Sequence, residues 1–396
     1  MSDFIPLSVP SIKGNEWKYI KECLDTEWVS SVGNYVDQFE KKIAEYTGTK
    51  YAVACINGTS ALHVSLLLAG VKPEDEVIVP TLTFIATVNS IKYCGAYPVF
   101  MDSDCYYNLN TEKTIEFIIK ETEMKKTNIS GGNEEWRSYN KRTGRCISAI
   151  IPVHIFGNAV WLDDIYKVCK EKNIKIIEDA AESLGTKYSK GKLKGKNTGS
   201  IGELGCLSFN GNKIITAGGG GMIITNNKKY AEKAKYLTTQ AKDDSVRFIH
   251  NEIGFNYRLS NIQAALGVAQ LEKLGSYIKI KKNNYDLYKK YIQKIDGLNL
   301  AAVPEYAVNN YWMYALQIDK ERYGKDKKQL MRHLHDNNIQ SRPVWYLNHK
   351  QKKYKCCQSF FIEEAEILYQ ETLNIPCSVN LRKESILKVI EKLNER

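Results

Sequence analysis

Two spacings of apolar residues alternate along the chain, short unbroken runs and longer stretches with a helical repeat, and together they predict an α/β fold. Tyr51 to Ile56, Glu76 to Pro80, Tyr97 to Asp102, Ile147 to Pro152 and Ile174 to Asp179 read as buried strands. Ser11 to Leu24, Asp37 to Tyr46, Ala61 to Ala69 and a stretch from Phe84 to near Gly95 read as the helices around them. From Thr111 to Arg145 the pattern begins as a helix and turns polar through Thr127 to Gly132, as in an elaborated surface connection. Lys187 to Gly205 is rich in Gly and Lys and lacks the spacing of a P-loop, so it reads as a flexible hairpin. Asn226 to Ala241 is a further helix.

From Ser260 to about Ile295 a long helical pattern places Ala264, Ala265, Val268, Leu271 and Leu274 on one face. It hands the chain to a smaller domain, with candidate strands at 311–318, 339–345 and 373–376 and helices at 325–337, 361–369 and 384–394. The expected division is a large domain over 1–270 and a small C-terminal α/β domain over 271–396.

Composition narrows the class. At 396 residues, 43% hydrophobic and 26% charged, the chain has the make-up of a globular protein with a substantial core. No apolar run reaches a membrane span, and Met1 to Pro6 has no basic segment leading into an apolar one, so a cytoplasmic protein is expected. The ten cysteines are scattered without zinc-ligand spacing, which predicts reduced thiols and no metal. The adjacent Cys356 and Cys357 cannot close an ordinary structural bridge. The net charge of +11 is spread over helix faces and no nucleic-acid module focuses it, so no nucleic-acid partner is expected. A positive field would also suit a cofactor phosphate and a nucleotide diphosphate.

The candidate chemistry lies where two apolar runs end. Cys206 to Lys213 carries a short strand into a loop bearing one lysine, and Gly218 to Gly221 returns the chain into Met222-Ile-Ile-Thr225. A lysine desolvated on such a loop can act as a nucleophile toward an aldehyde, against the plainer reading of one more solvated surface lysine, and the residues upstream must decide between the two. Asp179 ends the strand upstream, and ligands of open α/β sheets sit beyond the carboxyl ends of strands. An acid and a lysine so placed suit pyridoxal phosphate, with Lys213 taking the aldehyde and Asp179 pairing with the pyridine nitrogen. A helix N-cap is the other role open to Asp179. Asn57-Gly-Thr-Ser60 turns a strand into a helix and presents backbone N–H groups, which assigns Gly58, Thr59 and Ser60 to the cofactor phosphate, against the plainer reading of an ordinary capped helix.

Glu178-Asp-Ala-Ala-Glu-Ser183, Ser208-Phe-Asn-Gly-Asn-Lys213, Gly218 to Met222 and Gly254-Phe-Asn-Tyr-Arg-Leu-Ser-Asn-Ile-Gln-Ala-Ala265 resemble the DegT/DnrJ/EryC1/StrS family of pyridoxal-phosphate sugar aminotransferases, in the right order and over nearly the whole chain. The resemblance implies a fold-type I enzyme like aspartate aminotransferase, with a mixed, mostly parallel sheet. It implies a homodimer in which Asn256 crosses to the partner's cofactor phosphate, followed in the same motif by Arg258. It places Ser208 with the cofactor, Phe84 against the cofactor ring and Glu182 near its phenolic oxygen, where many relatives carry Gln. Arg342, Trp345 and His349 fall where relatives line the substrate pocket. His154, at the end of the strand Ile147 to Pro152, either reaches the site or is hydrogen-bonded structurally; Phe84 and the three small-domain residues could equally be packing residues.

The implied reaction moves an amino group from glutamate to a nucleotide-linked keto sugar. Trp28 to Gly33 and Pro80 to Ala86 resemble the branch that aminates C4 on the way to bacillosamine or legionaminic acid, which makes UDP-linked 4-keto-6-deoxy-GlcNAc the expected substrate and a GDP-linked 4-keto-6-deoxymannose, as in perosamine synthesis, the alternative. A sugar 3-dehydratase of this fold would carry histidine in place of Lys213. A non-catalytic sensor would drop that lysine or add a DNA-binding module.

Overall fold

The structure is a computed structural model that describes residues 4–128 and 134–395. Its main sheet runs in the order Tyr51–Cys55, Gly221–Thr225, Leu204–Ser208, Lys175–Asp179, Cys146–Ile150, Glu76–Pro80, Tyr97–Met101 and Ser359–Phe360. Gly221–Thr225 is antiparallel to both neighbours, and every other pairing along this path is parallel. The central strands are buried on both faces, which is why they appear in the sequence as continuous apolar runs. Parallel pairing sends their carboxyl ends to one edge of the sheet, and Asp179 lies in register with Cys206 there.

Helices Gly58–Leu68, Ile85–Tyr93, Thr111–Lys120, Leu162–Glu171 and Lys228–Thr238 flank the sheet. Asn34–Thr47 packs on Asn261–Leu271, and Phe39 from the former meets Phe209 at 4.8 Å between ring centroids. Burying each such ring stabilises the fold by roughly 1.5–3 kcal/mol. A second core gathers around the sheet Leu298–Leu300, Tyr314–Ile318, Thr372–Ile375 and Arg342–Pro343, with Leu274–Ile292, Lys327–Asp336 and Lys383–Asn394 against it.

The expected long helix from Ser260 is two helices, Asn261–Leu271 and Leu274–Ile292, broken at Glu272 and Lys273. The polar connection after Thr111 is not irregular where it is described. Thr122–Asn128 and Glu134–Asn140 form a hairpin whose second strand joins the main sheet at Ser138 and Tyr139. Its cross-strand ties are polar, Lys126 to Glu134 at 3.0 Å and Thr127 to Tyr139 at 2.7 Å, so apolar periodicity is blind to it. The centre of that connection, 129–133, lies outside the described residues. Of the stretch Lys187 to Gly205, Lys187 to Asn197 closes through an antiparallel bridge, Leu204 and Gly205 already belong to the strand Leu204–Ser208, and Lys187–Tyr188 also pairs with Ala307–Val308.

Two segments cross between the cores. Ile5 bridges to Ile339 and is buried in the second core, although it lies far upstream of it in sequence. Ser359–Phe360 returns from the C-terminal part to add a parallel strand beside Tyr97–Met101. Among the described residues no helix is long and apolar enough to cross a membrane.

Candidate active site

The loop after Leu204–Ser208 is closed at its base. Phe209 N–H donates to the Gly220 carbonyl at 2.9 Å, and Ala217 N–H donates to the Phe209 carbonyl at 2.9 Å. With buried Phe209 anchoring the base, the turn from Asn210 to Lys213 projects the lysine inward, its side chain 13% exposed. Gly221 needs to be glycine, since a Cβ there would lie 2.4 Å from the Asn57 backbone. That close approach brings the Asn57 turn beside the lysine loop.

Opposite, Asp179 ends its strand fully buried. Its Oδ2 accepts from Thr87 Oγ1 at 2.7 Å and its Oδ1 from the Ala181 N–H at 3.1 Å. Burial pushes this carboxyl up from its ordinary range, and the two hydrogen bonds and the Lys213 charge oppose the shift. Glu182 follows one turn later, accepting from the Phe156 N–H at 2.8 Å and lying 3.7 Å from Lys213 Nζ. Burial raises its carboxyl to about 7, against the pull of the lysine. Phe156 donates from a left-handed backbone, φ 57°, a strained conformation of the kind found at functional sites.

Lys213, Asp179 and Glu182 line one cavity of about 350 Å³ with Gly58, Thr59, Phe84, Ser208 and Trp345. That volume is within the roughly 300–1,000 Å³ of cofactor pockets. Asn57 caps the helix Gly58–Leu68 by accepting from Ser60 N–H at 2.8 Å, and Asn57, Gly58 and Thr59 all line the cavity. Phe84 is half exposed on the cavity wall, edge-on to Trp345 at 6.4 Å, and is no core residue. The donor set fits pyridoxal phosphate: a buried carboxylate, an amine, an aromatic face, the Thr59 hydroxyl at a helix N-terminus and the Ser208 hydroxyl at a strand end.

A profile of the DegT/DnrJ/EryC1/StrS aminotransferase family matches residues 10–394. The chain belongs to that family. It is therefore a pyridoxal-phosphate-dependent aminotransferase, of the fold-type I architecture seen in related structures. GDP-perosamine synthase of Caulobacter vibrioides (strain ATCC 19089 / CIP 103742 / CB 15) is 37% identical over 100% of this chain and 99% of its own. GDP-perosamine synthase of Escherichia coli O157:H7 is 37% identical over 99% and 98%. A crystal structure of a family aminotransferase from Brucella abortus, 27% identical, superposes with a TM-score of 0.81 over 96% of this chain and 94% of that one. The first two of these relatives are named as perosamine synthases, and neither is of the bacillosamine and legionaminic acid branch expected from Trp28 to Gly33 and Pro80 to Ala86.

Other expected site residues of this aminotransferase lie elsewhere. His154 is a correction: it is fully buried, its Nε2 donates to Glu178 at 2.9 Å and its Nδ1 accepts from Val160 N–H at 3.1 Å, so both ring nitrogens are spent structurally. Glu178 in turn accepts from the N–H groups of Gly199, Ile201 and Gly202, which ties the strand end to the following loop. Ser60 is buried and does not line the cavity. Asn256 and Arg258 bond to each other at the surface, outside their own chain's cavity. Arg342 is exposed, and His349 is held by Thr81 Oγ1 at 2.7 Å, also away from the lining.

The sequence reading missed Thr87, Asn212 and Trp312. Thr87 lies three residues beyond Phe84, one helical turn, so the spacing carried a signal. Trp312 comes from the other core's part of the chain and gave none.

Proposed function

We propose that this enzyme transfers an amino group from glutamate to C4 of a GDP-linked 4-keto-6-deoxymannose, giving GDP-perosamine. The observation that carries the nucleotide is the full-length similarity to two GDP-perosamine synthases at 37% identity. The cavity supports the chemistry, because an amine, a carboxylate and an ionisable second acid converge on one space.

Pyridoxal phosphate, when bound, supplies a carbonyl carbon that accepts and returns the amino group and a ring that draws electrons from it. The protein's own groups do the rest. Gly58, Thr59 and Ser208 hold the phosphate end, and Phe84 supports the ring face. Asp179, kept in place by Thr87 and Ala181, offers its carboxylate to the ring nitrogen. Lys213 Nζ takes the proton that must leave the α-carbon of the amino donor and returns it. Glu182, near its midpoint at neutral pH, can hold a proton beside that amine. Trp345 stands at the cavity wall facing the sugar.

Asn256 and Arg258 complete the site from a second copy of the chain. Exposed Val246, Phe248 and Ile253 just upstream supply the apolar surface such an association would cover. The experiment is incubation with glutamate and a panel of GDP- and UDP-linked 4-keto-6-deoxy sugars, with the product read by NMR. Amination of the GDP-linked sugar at C4 is the expected result. Turnover of the UDP-linked N-acetyl sugar alone would return the assignment to the other branch, and no turnover with any sugar would favour a sensor.

A further inference from the structure

The lysine amine has two close neighbours, and one is an indole. Lys213 Nζ lies 4.1 Å from the centroid of the Trp312 ring, with Glu182 Oε1 at 3.7 Å. Trp312 is 3% exposed and is held on three sides. Its Nε1 donates to the carbonyl of Asn212, the residue before the lysine, at 2.8 Å. Its backbone N–H donates to Asn310 Oδ1 at 2.9 Å, and its ring packs near Phe156 at 6.4 Å. Asn310 also donates through Nδ2 to the carbonyls of Glu182 at 2.8 Å and Leu184 at 3.0 Å, so one amide side chain sets the indole and the Glu182 backbone relative to each other. Tyr311 between them takes a left-handed backbone, φ 56°, which turns the ring inward.

A protonated amine over an indole face is attracted by the ring quadrupole, most strongly where water is excluded. We propose that Trp312 is a positioning residue for Lys213, holding the uncombined amine between the indole face and Glu182, both before it takes the donor's proton and as the ammonium afterwards, and so keeping it inside the cavity at the stages when it bonds to nothing else. The role concerns the protein's own amine and holds for any sugar substrate.

The test labels the full-length, cofactor-free protein at neutral pH with an amine-reactive reagent and follows the Lys213 peptide by mass spectrometry, with exposed Lys41 as the internal standard. An amine held against the indole face and Glu182 is withheld from the reagent, so removing the aromatic face raises its labelling rate. Trp312→Leu is expected to label Lys213 roughly three- to tenfold faster than wild type. Trp312→Phe, which retains an aromatic face, is expected to stay within about twofold. Equal rates in Trp312→Leu and wild type would overturn the proposal. So would equal acceleration in the Leu and Phe variants, which would mean the indole only blocks access. Buried Lys281 reports folding in the same digest, and if Trp312→Leu exposes it, the comparison passes to Trp312→Met against Trp312→Phe with the same two outcomes.

Discussion

Thr87 Oγ1 donates to Asp179 Oδ2 at 2.7 Å, from a helix beginning at Ile85 to the end of a strand 92 residues away in sequence. Both groups are buried, so the hydroxyl is a fixed dipole that aims the carboxyl and opposes the upward push of burial on it. Thr87→Val keeps the shape and removes the donor. Asp179 is then expected to shift further up, and pyridoxal phosphate to bind about tenfold or more weakly, as for the loss of a hydrogen bond to a charged group. Thr87→Ser should restore binding. Equilibrium dialysis with the cofactor checks both.

Lys213→Ala removes the amine that takes and returns the proton. Turnover is expected to fall by at least about 10²–10⁴-fold, and the yellow colour of the purified protein with its cofactor, bleached by glutamate in the wild type, is expected to be absent. Full activity in this variant would end the case for transamination.

Glu182 links the site to pH. Its carboxyl is raised in the folded state to about 7 from an ordinary 4.5, so the folded chain holds a proton that the unfolded chain releases between those values. The stabilisation of that protonated form is fully present below about 4.5 and is lost as pH rises through about 7. Glu182→Gln abolishes this dependence. The wild type is expected to lose on the order of 3 kcal/mol more stability than the variant between pH 4.5 and pH 8, measured by urea unfolding of the cofactor-free proteins.

Gly157 has φ 89°, and a Cβ on it would lie 1.9 Å from Asn310 Oδ1. Gly157→Ala therefore pushes apart the contact that joins Asn310 to the Glu182 loop while also straining the backbone. A destabilisation of about 2 kcal/mol or more is expected. Thermal unfolding would show it as a lowered midpoint, with activity falling in step.

The dimer proposal has its own measurement. Co-expressed Lys213→Ala and Asn256→Ala chains, each inactive alone, would form heterodimers with one intact site. Random pairing gives about one quarter of wild-type activity. A mixture no more active than the separate variants would place Asn256 outside the partner's site.

The legible parts of this protein were those where chemistry and pattern are local. The central strands are buried on both faces, so Glu76–Pro80 and Lys175–Asp179 announced themselves as apolar runs to within a residue or two. The polar hairpin Thr122–Asn128 with Glu134–Asn140 did not, because cross-strand polar pairs leave no apolar rhythm. His154 was ambiguous in sequence, since an imidazole becomes a ligand or a structural pair according to the neighbours it meets. Glu178 and the Val160 N–H decide that.

What the amino-acid order offered by itself was the α/β architecture and the pairing of Asp179 with Lys213, because strand ends and glycine turns are encoded within a few residues of the groups they present; Glu182 came only through the family resemblance, and the three together form a triad. Tertiary structure alone decided which groups surround the triad. Thr87 reaches Asp179 from another helix, Phe156 reaches Glu182 from a strained turn, and Trp312 reaches Lys213 from 99 positions along the chain. Those neighbours are chosen by packing between distant segments, and no local pattern records it.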